Sequence, residues 1–234
     1  MKKIKNLVIL VTICFLATSL FSSCAVYQPQ AVSIPLLSDK GDFSVDAGIT
    51  PDLAVSANIA YAFTNHFGGQ IHGTYGANRY YGQLALGYYR KLSEKGRMEI
   101  YAGYGYGYGK TYDEIYLFVP SDFSGNYHLP FVQYNYGRVS NSKGHIEYGV
   151  GVKLGLLASQ YIDTHIPDTY NELAGLLEPI LFFRAGGAHL KFQMQLGLSL
   201  LANKKHGFMF NTYSYPVNFS MGIYYKLNFN KNKK

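Results

Sequence analysis

The sequence predicts an all-β protein: an antiparallel up-and-down transmembrane β-barrel of about ten strands, with eight as the smaller alternative, after an N-terminal signal peptide. Three observations carry that prediction. Apolar residues alternate with polar or tiny ones over nearly all of 42–229, the two-residue period of strands with unlike faces. The best runs are about a dozen residues long, against the ~9–11 a tilted strand needs to cross hydrocarbon. Finally, 23 Tyr, 15 Phe and 25 Gly with no Trp favour strands and tight turns over helices. A chain of 234 residues suits one all-β domain of the larger kind, and no break in composition divides it.

At the N-terminus, Lys2, Lys3 and Lys5 precede an apolar run from Leu7 to Leu20, the basic and apolar regions of a secretory signal. Its loss removes three of the 21 basic residues and leaves 18 against 14 acidic ones. A net charge near +4 gives no reason to expect nucleic acid as a partner. Cys14 goes with the signal. Cys24 follows Phe21-Ser22-Ser23, which resembles the lipobox of bacterial lipoproteins. The resemblance implies a lipoprotein signal peptide over 1–23 and acylation, palmitate included, at Cys24. Such chains stably hold an N-terminus in a leaflet. Ala25, in place of Asp, resembles lipoproteins sent on to the outer membrane. An ordinary signal with an incidental cysteine is the other reading. Residues 24–40 contain Pro29 and Pro35 and no sustained period, so they are expected to form a lipid-attached tether.

The barrel is expected over 41–229, with a basic tail at 230–234. Its strands are read at 42–49, 53–63, 69–76, 80–91, 97–109, 129–139, 145–158, 178–185, 189–201 and 216–229. Short links at 64–69, 93–96, 140–144 and 185–188 alternate with long polar ones at 110–128, 159–177 and 202–215. Membrane barrels have tight periplasmic turns and longer outer loops, so both chain ends are expected on the tight-turn side.

The faces follow from the alternation. In 189–201, Leu190, Phe192, Met194, Leu196, Leu198 and Leu200 oppose His189, Lys191, Gln193, Gln195, Gly197 and Ser199. The first set carries no charge, as a lipid-facing surface must when a basic residue at the midplane costs ~2–4 kcal/mol. The opposite arrangement, oily face inward, would make a periplasmic lipocalin-like lipid carrier. In 101–109, YAGYGYGYG, the tyrosines Tyr104, Tyr106 and Tyr108 share the oily face and gather at one strand end, as an aromatic girdle does.

At the C-terminus, Ser220-x-Gly222-x-x-Tyr225-x-Leu227-x-Phe229 resembles the final-strand signal by which outer-membrane barrels are recognised for assembly. With the lipobox and the alternation, the chain resembles lipid-anchored outer-membrane β-barrel proteins of Gram-negative bacteria. That resemblance implies outer-membrane lipid and lipopolysaccharide as surroundings, and the barrel-assembly and lipoprotein-sorting machineries as partners. It does not fix an oligomeric state.

Aligning the tight turns places Arg97, His145 and His189 one residue into their strands and Glu99, Glu147 and Lys191 three residues in, with Lys226 arriving from the last strand. Mixed charges at one level predict a salt-bridged interior cluster near the periplasmic mouth. Gly103, Gly105, Gly151, Gly155 and Gly197 higher up either leave space, for a hollow outer half, or admit inward aromatics such as Tyr101. No spacing there is that of metal ligands, so neither metal nor cofactor is expected. Outer loops hold Asp113, Glu114, Asp122, His128, Asp163, His165, Asp168, Glu172 and His206. These leave open an outer-membrane enzyme, a protease or a lipid A-modifying enzyme, although no nucleophile motif accompanies them. A structural, adhesive or small-ligand-binding role is the main expectation, with Lys204-Lys205 available to lipopolysaccharide phosphates.

Overall fold

The computed structural model describes residues 26–27, 29–110, 123–140, 146–163, 168–203, 207–209 and 217–229. Cys24, His145, the signal segment 1–23 and the tail 230–234 lie outside them. So do Asp113, Glu114, Asp122, His165, Lys204, Lys205 and His206. The elements are β1 (Asp42–Ile49), β2 (Val55–Ala62), β3 (Phe67–Gly76), β4 (Arg79–Lys91), β5 (Gly96–Lys110), β6 (Phe123–Val139), β7 (Glu147–Asp163), β8 (Thr169–Gly186), β9 (Leu190–Leu198), β10 (Leu200–Asn203), β11 (Gly207–Met209) and β12 (Val217–Asn228).

Each strand pairs antiparallel with its neighbour in sequence from β1 to β9, and β12 bonds both β9 and β1. The ring is therefore closed. The stretches β9 and β10 are one wall strand interrupted at Ser199, both lying on β8, and β11 is a short addition to β10. Ten strands form the barrel, and closure leaves no unpaired edge in the ring, as hydrocarbon demands. At the closing seam Gly48 stands opposite Gly222. A Cβ at Gly222 would fall 2.1 Å from the Ala47 carbonyl oxygen, so this glycine of the final-strand pattern lets β12 approach β1 closely. Tyr225 and Phe229 of the same pattern are exposed on the outer surface, and Leu227 is partly so.

The oily face is outside. Leu190 is 56% exposed, and Phe192, Leu196 and Leu198 are also open, whereas Lys191, Gln193 and Gln195 are buried. Leu84, Leu86, Leu154, Leu156, Leu181 and Ile223 extend this apolar surface around the ring. A lipocalin-like carrier needs the reverse, and that alternative is overturned: the buried wall residues include Glu99, Gln133, Asn135, Lys153 and Arg184. Tyr75, Tyr80, Tyr104 and Tyr106 are exposed near the long-loop end, and Phe67, Tyr148, Tyr225 and Phe229 near the tight-turn end. Two aromatic belts bound the apolar band.

Three strands outrun their expected lengths. β6 begins at Phe123, β7 continues to Asp163 and β8 begins at Thr169, so much of what alternation assigned to loops is paired ladder. These extensions need backbone pairing but no strict apolar face.

Candidate functional site

The principal correction concerns residues 26–40. They do not hang free as a tether. Residues 26–27 and 29–40 run through the lumen as an extended strap, with Val26, Tyr27, Ala31, Val32, Ile34, Leu36 and Leu37 buried. The reason is chemical fit: the lumen offers polar side chains to an extended backbone that would otherwise have no partners.

The contacts descend in order. The Val26 carbonyl lies against Gly109 of β5, where a Cβ would come within 2.1 Å of it. Tyr27 donates its hydroxyl to Glu178 Oε1 at 2.8 Å and packs edge-on against Tyr127. Asn218 Nδ2 donates to the Gln30 carbonyl. Gln195 accepts from Val32 N at 3.0 Å and donates to Val32 O at 2.8 Å, so its amide imitates a paired strand. Gln133 Nε2 donates to Ser33 O at 2.6 Å, Arg184 Nη2 to Ile34 O at 2.5 Å and Tyr224 to Pro35 O at 2.5 Å. Leu36 takes a φ of 50°, a left-handed conformation costing ~1–2 kcal/mol for a residue with a Cβ, and its carbonyl accepts from Lys226 Nζ at 2.6 Å. Leu37 N then donates to Glu99 Oε1 at 2.7 Å, and Ser38 Oγ accepts from Arg97 Nε at 2.9 Å.

Along the way Val32, Ile34 and Leu36 pack on the inward Ile180 and Phe182 of β8. Val26 and Tyr27 join a larger apolar cluster with Tyr81, Tyr101, Tyr127, Phe131 and Leu176. Of the two readings of the outer half, inward aromatics are the one these clusters fit. The wall glycines do create space, but aromatic rings occupy it. A Cβ at Gly105 would strike the Tyr81 ring and one at Gly107 the Tyr127 ring, each 2.2 Å from the nearest ring or hydroxyl atom. Gly151 faces Ile34 of the strap.

The predicted charged cluster divides into separate groups. Glu147 bridges Arg184 Nη1 at 3.3 Å and Lys191 Nζ at 2.7 Å. Arg184, 0% exposed, also donates to Gln193 at 2.6 Å and lies 3.7 Å from the Tyr224 ring centroid. Glu99 holds the strap and accepts from Asn135 at 3.0 Å. Arg97 ties the carbonyls of Ser93, Glu94 and Gly96 in the tight turn. Lys226 pairs with Asp42 at 3.0 Å. His189 is a correction: it is exposed and faces the Lys226 carbonyl across the rim, because it precedes β9 and escapes the strand's alternation. Arg184 and Asp42 were not anticipated. Arg184 shares its inward register with Ile180 and Phe182, and that apolar company hid a polar wall position.

On the opposite wall, Asn58 of β2 and His72 of β3 stand in register with Asp46 and Gln83. Asn58 Oδ1, His72 Nδ1 and both polar atoms of Gln70 have no protein partner among the described residues. Buried polar atoms ordinarily have one; the strap reaches this side of the wall only at its two ends, where Leu37 packs on Ala62, Gly68 and Tyr89 and Tyr27 joins the cluster of Tyr81.

Of the enzyme candidates, His128 lies on the outer surface of β6, its ring nitrogen bonded to the Tyr104 hydroxyl. It shares an open notch of about 580 Å³ with Asn126, Gln160, Asn171 and Glu172. Asp168 is exposed. Ser159, next in the ladder to Glu172, and Tyr106 line the same notch, but among the described residues no hydrogen bond joins Ser159 to His128, whose ring is held by Tyr104. No group of acidic residues, His or Cys among them could hold a metal.

No family model and no curated protein matches the chain. A solved structure named KdgM porin aligns with 79% of this chain and 98% of its own, at 10% identity and a TM-score of 0.36.

Proposed function

We propose that the chain is an outer-membrane β-barrel lipoprotein whose lumen is occupied by its own N-terminal strap. Its role is structural, adhesive or small-ligand-binding, not free diffusion of solutes. The observation that carries this reading is the ordered series of bonds between strap and wall at Tyr27, Gln30 and each residue from Val32 to Ser38. A closed ring with an apolar exterior, two aromatic belts and a packed interior spans a membrane without offering a channel. The lipobox-like stretch before Cys24 supports acylation there, and the final-strand pattern supports handling by the barrel-assembly machinery.

Membrane fractionation tests the proposal. The wild type is expected in the outer-membrane fraction, carrying a metabolically incorporated palmitate analogue. Cys24→Ser is expected to lose the analogue and yet resist alkaline extraction, because the barrel itself is held by hydrocarbon. Release of Cys24→Ser into the alkaline supernatant would mean that lipid alone anchors the protein, and the integral-barrel reading would fall.

A further inference from the structure

The direction of the strap bears on where the N-terminus lies. In an outer-membrane barrel the tight turns face the periplasm, and with them Asn228, which pairs with Asp42 at that end of the closing seam. The strap leaves that end at Ser38 and Asp39, where Ser38 N donates to Asp42 Oδ2 at 2.8 Å. Going back towards Val26, its partners rise on every wall that touches it. On β12 they run from Lys226 to Tyr224 to Asn218. On β6 they run from Gly137, beside Leu36, to Gln133 to Tyr127. On β5 they run from Glu99 to Gly109. Gly109 is the penultimate residue of β5, at the end that leads to the outer loops. The strap does not double back, and its twelve steps at ~3.3 Å each reach roughly 40 Å, enough to pass the ~25 Å apolar band of a membrane barrel.

We infer that the mature N-terminus emerges through the outer mouth, so that the acyl group on Cys24 enters the outer leaflet, across the membrane from the C-terminus. This rests on acylation as set out under Proposed function. Cys24 precedes Val26 by two residues and stays within about 7 Å of it. From the rim of the outer mouth, the acyl chains have the outer leaflet within reach. To reach the periplasmic leaflet they would have to pass back through a lumen filled by Tyr81, Tyr101, Tyr127 and Phe131. The protein is then anchored from both sides: the barrel assembles around its own strap, and the lipid on the far side prevents withdrawal.

Labelling of intact cells with a charged, membrane-impermeant maleimide tests the inference. The mature chain has no cysteine besides Cys24, so Ala25→Cys and Asn232→Cys each add one thiol. A third variant inserts a short Gly-Ser spacer with a central cysteine between Ala25 and Val26, so that its thiol clears the rim. The spacer variant, and Ala25→Cys where its thiol is open, are expected to label fully in intact cells. Asn232→Cys is expected to gain label many-fold only when the outer membrane is permeabilised. Absence of label from both N-terminal variants in intact cells overturns the inference, whatever permeabilisation then reveals. Label on Asn232→Cys in intact cells overturns it as well. The wild type separates the two readings: label on its own Cys24 shows an unacylated thiol, while the side on which it labels still reports where the N-terminus lies.

Discussion

Removing the strap is expected to turn a silent barrel into a conducting one. On the proposed reading the wild type should give no steady openings in planar bilayers, because strap and wall meet at three levels: the cluster around Tyr127 and Tyr27, the packing of Val32, Ile34 and Leu36 on Ile180 and Phe182, and the polar grip of Glu99, Arg97 and Lys226 on Leu36 to Ser38. Deletion of 26–38 removes the strap's part at each level. It leaves a wall lined by Glu99, Gln133, Asn135, Glu147, Gln193 and Gln195, all polar and now open to water. Small discrete openings should follow. Substituting 26–37 by a Gly-Ser linker of equal length should act in the same direction while preserving the connection to β1, since a linker cannot supply the apolar contacts. A deletion variant that folds and stays as silent as the wild type would show that wall side chains alone close the lumen.

The second large effect concerns Glu147. Its carboxylate faces both Arg184 and Lys191, with side-chain exposures of 5%, 0% and 4%. Glu147→Ala strands two buried cations, a change on the order of 3–5 kcal/mol when one partner of such a group is removed. The folded barrel should unfold at distinctly lower urea concentration. Asp52→Ala is the contrasting case. Asp52 meets Arg79 at 2.6 Å, but its side chain is 35% exposed, and pairs open to solvent are worth about 0–1 kcal/mol. Equal midpoint shifts for the two variants would mean that water reaches Glu147 freely and that the strap does not seal that level.

Much of the barrel was legible from alternation alone. The strand β1 matches its expected range and β4 and β5 lie within a residue of theirs, because a membrane-spanning strand must show lipid one side and the lumen the other at every second residue. Where β6, β7 and β8 rise past the apolar band, that requirement lapses, so Phe123–His128 and Thr169–Leu177 read as polar loop although their backbones pair. The strap was hidden for a different reason. It is a single segment whose partners are side chains, not a neighbouring strand, and Pro29 and Pro35 interrupt it. Two traces of it were nevertheless present. Val32, Ile34 and Leu36 alternate, and the lumen-facing registers of β6 and β8 contain Leu129, Phe131, Ile180 and Phe182 where a water-filled interior would want polar groups. Apolar residues on the wet face of a barrel mark something packed inside it. The charged level near the tight turns was legible in its members but not in its partners. Arg184 stands just before its turn, so an alignment on the residues that follow each turn passes it by, and the strap's carbonyls are invisible to a count of charges.

A cross-link inside the barrel tests the threaded strap most directly. In the double variant Ile34→Cys, Gly151→Cys, assembled in the membrane, the two thiols face each other at mid-lumen, where a Cβ at Gly151 would lie 3.1 Å from the Ile34 side chain. A short bis-thiol reagent should join them in nearly every folded molecule. The pair Ile34→Cys, Leu154→Cys, with Leu154 on the lipid face, should remain unlinked. Free, separately alkylatable thiols at positions 34 and 151 would contradict the account.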